Sequence, residues 1–210
     1  MRRSAAGEID PQSTAMTVAR PTLIVRRLRE QLRNPPLLGA MGTLDAAGAA
    51  RVRMVVIRGI HPGRGEIVIC ADSRSRKVRQ LKLKKRGELC IWLPVERIQL
   101  RMLLDWTVLE GGGTVRNGPQ KDRLVRKLWT ALSDESQLLF ARPPSGKLFR
   151  PGCGALNQPI TGREASASVN FSVLTGKIIA MDALVIGSTE HIRYLHQRRN
   201  RKWHSVRINP

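Results

Sequence analysis

Aromatic side chains are scarce in these 210 residues, at 4%. Any core must therefore come from Val, Ile, Leu, Met and Ala, a palette that serves a sheet as readily as a helix bundle. Cysteine is nearly absent: Cys70, Cys90 and Cys153 share no CxxC or CxxH spacing. Neither a closed disulfide framework nor a zinc site is suggested, and the three thiols are expected reduced and partly buried. No stretch of about 18 apolar residues occurs, and the opening MRRSAAGEIDPQSTAMTVAR lacks the apolar segment of a signal peptide. The expectation is a cytoplasmic protein without a membrane partner. Acidic residues are the remaining shortage, with 16 Asp and Glu against 37 Lys and Arg, a formal charge of +21. Such a surface attracts polyanions, whether nucleic acid, acidic membranes or phosphorylated small molecules, and a merely solvated basic surface accounts for it equally well. The basic residues are densest at 74–86 and 193–202.

With 41% hydrophobic residues the chain can bury one sizeable core. One domain is expected over 21–210, behind a mobile leader at 1–20 that has no apolar period. Thr22 is placed to cap a helix carrying Leu23, Ile24, Leu28 and Leu32, ended by Asn34, Pro35 and Pro36. From Leu37 the pattern changes to short apolar runs, LLGAMGTL, RVRMVVIRGI, EIVICA, ELCIWLP and RIQLRMLLDWTVLEGG, which read as antiparallel strands. The links 45–48 and 61–65 suit hairpins. Residues 72–86 have helical character, and 117–140 read as one or two helices with Ser133 as a second cap. The Pro- and Gly-rich 142–163 reads as a long loop, followed by strands around SVNFSV, KIIAMDALVIG and KWHSVRI, with HIRYLHQRR as a further pairing segment.

The densest chemistry lies in Asp72-Ser-Arg-Ser-Arg-Lys77, after one strand and at the start of a helix. Unpaired N–H groups at a helix start, a hydroxyl at Ser75 and cations at Arg76 and Lys77 together form an anion cradle. An Asp-capped surface helix with a basic face would use the same residues. In the strand RVRMVVIR the apolar centre belongs in a core, so Arg53 and Arg58 require a ligand, a carboxylate or an exposed strand end. Strand parity separates them onto opposite faces, so one pocket can use both only if the strand bends, the backbone contributes, or two subunits share the site. Gln99 and Arg101 share a strand face, and Gln99 can offer a donor and an acceptor to a heterocycle. His191 and Arg193 could serve a site or simply face water.

Taken in order, the helix, RMVVIR, ADSRSRK, the strand with Gln99 and the ending with Trp203, Arg207 and Pro210 resemble the pyridoxamine 5'-phosphate oxidase superfamily of FMN-binding split barrels. LWTALSDESQLLFARPPSG resembles the region after the barrel in a branch known as uncharacterised flavin-binding proteins. The resemblance covers about 20–210 and implies a mainly β (α+β) fold, a split β-barrel of about six antiparallel strands with peripheral helices. It implies a homodimer with FMN at the interface. By position it assigns Arg53, Met54, Val55, Val56 and Arg58 to the flavin ring and ribityl chain, and Ser75, Arg76 and Lys77 to the phosphate. It places Gln99 near the ring, Arg193 near the cofactor, and Ser133 in a region contributed by the partner. Arg58, His191 and Arg193 become candidates for substrate contact, while no catalytic acid or base is assigned and no metal is expected. Ala71 replaces a frequent hydroxyl residue, Ala183 or Leu184 stands where the oxidase has a flavin-contacting tryptophan, and no Tyr-x-x-x-Arg-x-x-x-Ser clamp is found at 121–136. The function implied is an FMN-dependent oxidoreductase acting on a small substrate. The alternatives are a non-enzymatic cofactor- or nucleic-acid-binding barrel and a true pyridoxamine phosphate oxidase. Nucleic acid is the less favoured partner, because the aromatics form no interleaved stacking series.

Overall fold

A computed structural model describes residues 11–32, 36–112, 118–148, 167–187 and 190–210. Two short helices come first, α1 (Pro11–Val18) and α2 (Pro21–Glu30). Strands β1 (Leu38–Leu44), β2 (Ala50–His61) and β3 (Glu66–Asp72) lead into α3 (Arg76–Leu83). Next come β4 (Arg86–Leu93), β5 (Ile98–Glu110), α4 (Pro119–Thr130) and α5 (Asp134–Leu138), and then β6 (Phe171–Val185), β7 (Ile192–Arg199) and β8 (Lys202–Ile208).

The strands form one antiparallel sheet in the order β3-β2-β1-β4-β5-β6-β7-β8, and β3 also pairs with β6. That extra pairing closes β1, β2, β3, β6, β5 and β4 into a six-stranded ring and leaves no free edge within it. The split originates in β6. Its residues Phe171 to Lys177 pair with β3, its residues Ala180 to Val185 pair with β7, and β5 follows both halves along the other side. A register shift in the β5–β6 ladder between Leu103 and Leu104 marks the point of divergence.

Alternation along β1, β4 and β5 fills the ring, while β3 and the start of β6 are buried at consecutive positions. Met41, Leu89, Met102 and Met181 are successive cross-strand partners, and all are buried. Flexible Met side chains suit a core with few aromatics. Trp106 is the large exception, and its partner across β6 is Gly176. A Cβ at Gly176 would lie 2.8 Å from the indole ring, so the close approach requires glycine.

Outside the ring, α4 and α5 cover a second cluster in which Trp129, Phe140 and Phe171 meet edge to face, with centroids 5.2–5.7 Å apart. At the other side, α2 inserts Ile24, Val25 and Leu28 into the main core, and Arg27 pairs with the buried Glu96. His196, fully buried, bonds through Nε2 to the Val18 carbonyl at 2.9 Å and through Nδ1 to Ser205 Oγ at 2.8 Å. The carbonyl can only accept, so Nε2 carries the proton, and burial lowers the imidazole pKa in keeping with that neutral form.

Several local expectations change. Residues 11–18, expected in a mobile leader, form α1, whose Val18 is buried. The following helix starts at Pro21, a residue suited to a first turn, with Arg20 at the N-cap, so Thr22 does not cap it. SVNFSV and KIIAMDALVIG supply a single 15-residue strand, β6, and HIRYLHQRR is β7. Asn34, Pro35, Cys153 and most of the expected loop at 142–163 lie outside the described residues.

Phe171 belongs to both the sheet and the aromatic cluster. Phe171→Ala is expected to cost about 3–5 kcal/mol in urea unfolding, with α4 and α5 losing amide-exchange protection first.

Candidate anion cradle and outer sheet face

Where β3 leaves the barrel, Asp72 locks the turn. Its carboxylate accepts from the Arg74 backbone N–H at 2.7 Å and from the Arg74 guanidinium at 3.0 and 2.7 Å. The same guanidinium donates to the carbonyls of Phe140 and Arg142. Arg74 is thus occupied in structure. Burial would raise the Asp72 pKa, but the Arg74 hydrogen bonds and charge outweigh it and the net shift is downward.

This turn delivers Ser75 to the N-cap of α3. Its side chain makes no capping bond, and Oγ is buried without a partner. The first N–H groups of a helix have no intrahelical acceptors. Arg76 is exposed beside them, and Lys77 is half-buried. Burial lowers the Lys77 pKa, the positive charge of Arg53 lowers it further, and Asp72 opposes both.

Arg53 approaches from the barrel. It pairs with Met41 on the inner face, donates to the Met41 carbonyl at 3.3 Å and to Thr43 Oγ1, and reaches Gln80 Oε1 of α3 at 2.9 Å. Thr43 Oγ1 donates to the same oxygen at 2.7 Å. All of these acceptors are neutral. Among the described residues Arg53 has no carboxylate partner, and burial lowers its pKa. Two mutually repelling cations, a buried hydroxyl without a partner and a helix start therefore share one partly dry end of the barrel. A dianionic phosphate would relieve the repulsion, and it would accept from Ser75 and from the amides. The residues present fit such a group.

Other candidate residues divide by strand parity. Val55 is buried on the inner face with Arg53, whereas Met54 and Arg58 are exposed and Val56 is half-buried. Arg58 sits at a register shift of the β2–β3 ladder between Ile57 and Gly59, so the strand does bend there. Its charge reaches Cys70, yet burial dominates and pushes that thiol up to about 11. Ala71 is a buried core residue.

A second group lies on the outer face of β5, β6 and β7. Gln99 pairs with Trp92 on one side and Leu184 on the other, and Leu184 pairs with Arg193. Leu184 is therefore the residue standing beside Gln99, while Ala183 points into the core. Asp182 clamps Arg193 through Nε at 3.0 Å and Nη2 at 2.8 Å, and it also pairs with Arg101. Burial would raise the Asp182 pKa, but the two guanidiniums bring it below the usual carboxylate range. His191 is exposed in an open cleft of about 600 Å³ with Glu190, Arg207 and the terminal Ile208, Asn209 and Pro210. Ser133 caps α5, accepting from the Ser136 N–H at 3.3 Å.

Arg53, Ser75 and Lys77 thus meet at one barrel end, and Gln99, Arg101, Asp182 and Arg193 meet on the outer face. A single chain does not merge the two groups. Sequence reasoning missed Thr43, Gln80 and Asp182. Asp182 was the one carboxylate in an otherwise apolar strand segment, a signal that could have marked it as a partner for cations.

A closed antiparallel ring whose longest strand divides its edge between β3 and β7 defines the split β-barrel class. Residues 22–110 match the family model described as pyridoxamine 5'-phosphate oxidase, FMN-binding domain. This segment holds β1 to β5 and α3. It is 24% identical over 186 residues to pyridoxine/pyridoxamine 5'-phosphate oxidase 2 of Arabidopsis thaliana, covering 81% of this chain and 85% of that one. Its fold is shared with a pyridoxamine 5'-phosphate oxidase-related, FMN-binding protein of Nostoc punctiforme, with a TM-score of 0.76 and 23% identity over 97% of this chain and 100% of the other. It is shared also with PhzG of Burkholderia lata in complex with tetrahydrophenazine-1-carboxylic acid, with a TM-score of 0.71 and 18% identity over 97% and 98%. No helix among the described residues is long and apolar enough to cross a membrane.

The depressed Lys77 pKa has a signed consequence. The folded chain without ligand binds this proton more weakly than the unfolded chain. Stability should therefore rise with pH between the lowered folded value and the ordinary value of 10.5. Lys77→Met is expected to stabilise the protein without ligand by about 0.5–2 kcal/mol at neutral pH and to flatten that rise, as measured by urea unfolding across pH.

Proposed function

We propose that this chain is a homodimeric FMN-dependent oxidoreductase acting on a small substrate, with the flavin phosphate held by Arg53, Ser75, Arg76 and Lys77. The observation that carries the proposal is the buried, unpartnered Ser75 hydroxyl at the start of α3, next to Lys77 on a helix that Arg53 reaches through Gln80. The match of residues 22–110 to an FMN-binding family model supports the identity of the anion.

Homodimerisation is supported by the outer face of β1, β2 and β4. Leu38, Val52, Met54 and Trp92 are 46–70% exposed there, although they are apolar. The registers Leu38 with Val56, Ala40 with Met54, and Ala40 with Cys90 place them on one contiguous surface. A patch of this kind calls for a partner. A second copy would also bring the outer-face group of one subunit toward the cradle of the other, so that Gln99 and Arg193 meet a flavin whose tail is held across the interface. Met54 and Val56 would then contact the ring from the outer face, Val55 would support the strand from within, and Ser133 would enter from the partner's helical region.

When bound, the isoalloxazine ring supplies reversible two-electron chemistry. The chain's part is to anchor the phosphate, to offer the Gln99 amide as donor and acceptor, and to hold Arg193 in one orientation through Asp182. His191 and Arg58 are the side chains left to meet substrate. Pyridoxine phosphate is not the substrate proposed, because neither α4 nor α5 contains a tyrosine and the single Tyr of the chain is Tyr194 in β7.

The test is reconstitution with FMN followed by gel filtration with absorbance detection. The wild type should elute as a dimer carrying stoichiometric flavin, and Arg53→Met/Lys77→Met should keep its circular dichroism but elute without flavin. A wild type unable to take up FMN, or a double variant that retains it, would contradict the proposal.

A further inference from the structure

The β7–β8 hairpin carries charge that the flavin site does not use. Its pairing with β6 ends at Gln197 opposite Ala180, while β7 and β8 continue together through the Arg198–Trp203 and Arg199–Lys202 pairs. The tip therefore runs on past the sheet as a two-stranded ribbon. It lies beside the β2–β3 turn, where Arg198 Nη1 is within 3.3 Å of the position a Cβ on Gly65 would take. Arg64 in that turn is exposed as well.

Two local rules are broken at this tip. Arg199 and Lys202, like charges, stand directly opposite each other, an arrangement that is unfavourable across a strand pair. Asn200 and Arg201 both have positive φ, 49° and 64°. Asparagine suits the first position of such a two-residue turn, but the second favours glycine and is strained for arginine. Among the described residues none of Arg198, Arg199, Arg201 and Lys202 has a carboxylate partner. Arg199 donates to Gln197 at 2.8 Å, and Arg198 lies 5.9 Å over the Trp203 ring. Departures from local preference that concentrate cations in one place point to an anion outside the chain.

We infer that the β7–β8 tip is a docking ribbon for the phosphodiester backbone of a duplex nucleic acid, on a surface separate from the flavin cradle. A two-stranded ribbon has the width that a duplex groove admits, and unpaired cations release condensed counterions when they meet phosphates. A membrane surface is disfavoured by the tip itself, which presents Arg199, Asn200, Arg201 and Lys202 with no apolar residue to insert.

The experiment uses the full chain with FMN and a fluorescently labelled duplex of about 20 base pairs, as DNA and as RNA, titrated across salt. Arg199→Ser/Arg201→Gly/Lys202→Ser is compared with Lys121→Ser/Arg126→Ser/Lys127→Ser, which removes equal charge from exposed positions of α4. The hairpin variant should bind at least about tenfold more weakly at low salt, with a salt slope shallower by up to about three, and the α4 variant should stay near wild type. Because glycine suits the turn, the unfolding midpoint of the hairpin variant should not fall. Equal weakening in both variants would overturn the inference, as would wild-type duplex binding by the hairpin variant. A hairpin variant that lost only its binding to phosphatidylserine vesicles would overturn it in favour of a membrane surface.

Discussion

Arg53 comes from the inner face of β2, Lys77 comes from the first turn of α3, and the fold holds both cations at one partly dry end of the barrel. The contacts around Arg53 are neutral acceptors, Met41, Thr43 and Gln80, which fix the guanidinium without neutralising it. Leaving such charge uncompensated costs stability. Asp72, the nearest acid in sequence, is occupied by Arg74, and that pair shapes the turn that delivers Ser75 and Lys77. The cradle is thus held in place at the expense of the protein's own stability.

The divided edge of β6 gives this arrangement its setting. Pairing with β3 closes the ring and brings the end of β3, hence α3, over one barrel mouth. Pairing of the other half with β7 extends the outer face, and it is there that Asp182 gathers Arg101 and Arg193. One long strand thus serves both surfaces. The interior closes around Trp106 only because Gly176 yields the space.

The ring strands were legible because their alternation and turn residues follow local rules. In RMVVIR, for instance, parity separates Arg53 from Arg58, and the two do lie on opposite faces. The helix after ADSRSRK was legible from the spacing of Val78 and Leu81, though its cap is Ser75 and not Asp72. What the sequence could not supply was cross-strand register. Nothing local says that Arg101 faces Asp182 or that Arg53 reaches Gln80, since these contacts join residues 81 and 27 positions apart. Nor could it show that β6 is continuous, because Thr175, Gly176 and Lys177 look like a turn and are a strand only through pairing with β3 and β5. The α1 helix was missed for a similar reason: its anchor is a carbonyl bonded to His196, far along the chain.

The measurement closest to the central claim is calorimetric comparison of FMN with riboflavin, which has the same ring and ribityl chain but no phosphate. If the cradle formed by Arg53, Ser75 and Lys77 receives the phosphate, FMN should bind at least about 100-fold more tightly at neutral pH, as two charge-assisted hydrogen bonds imply. That advantage should shrink as pH rises through the lowered pKa of Lys77. Equal affinity for the two flavins would contradict the account.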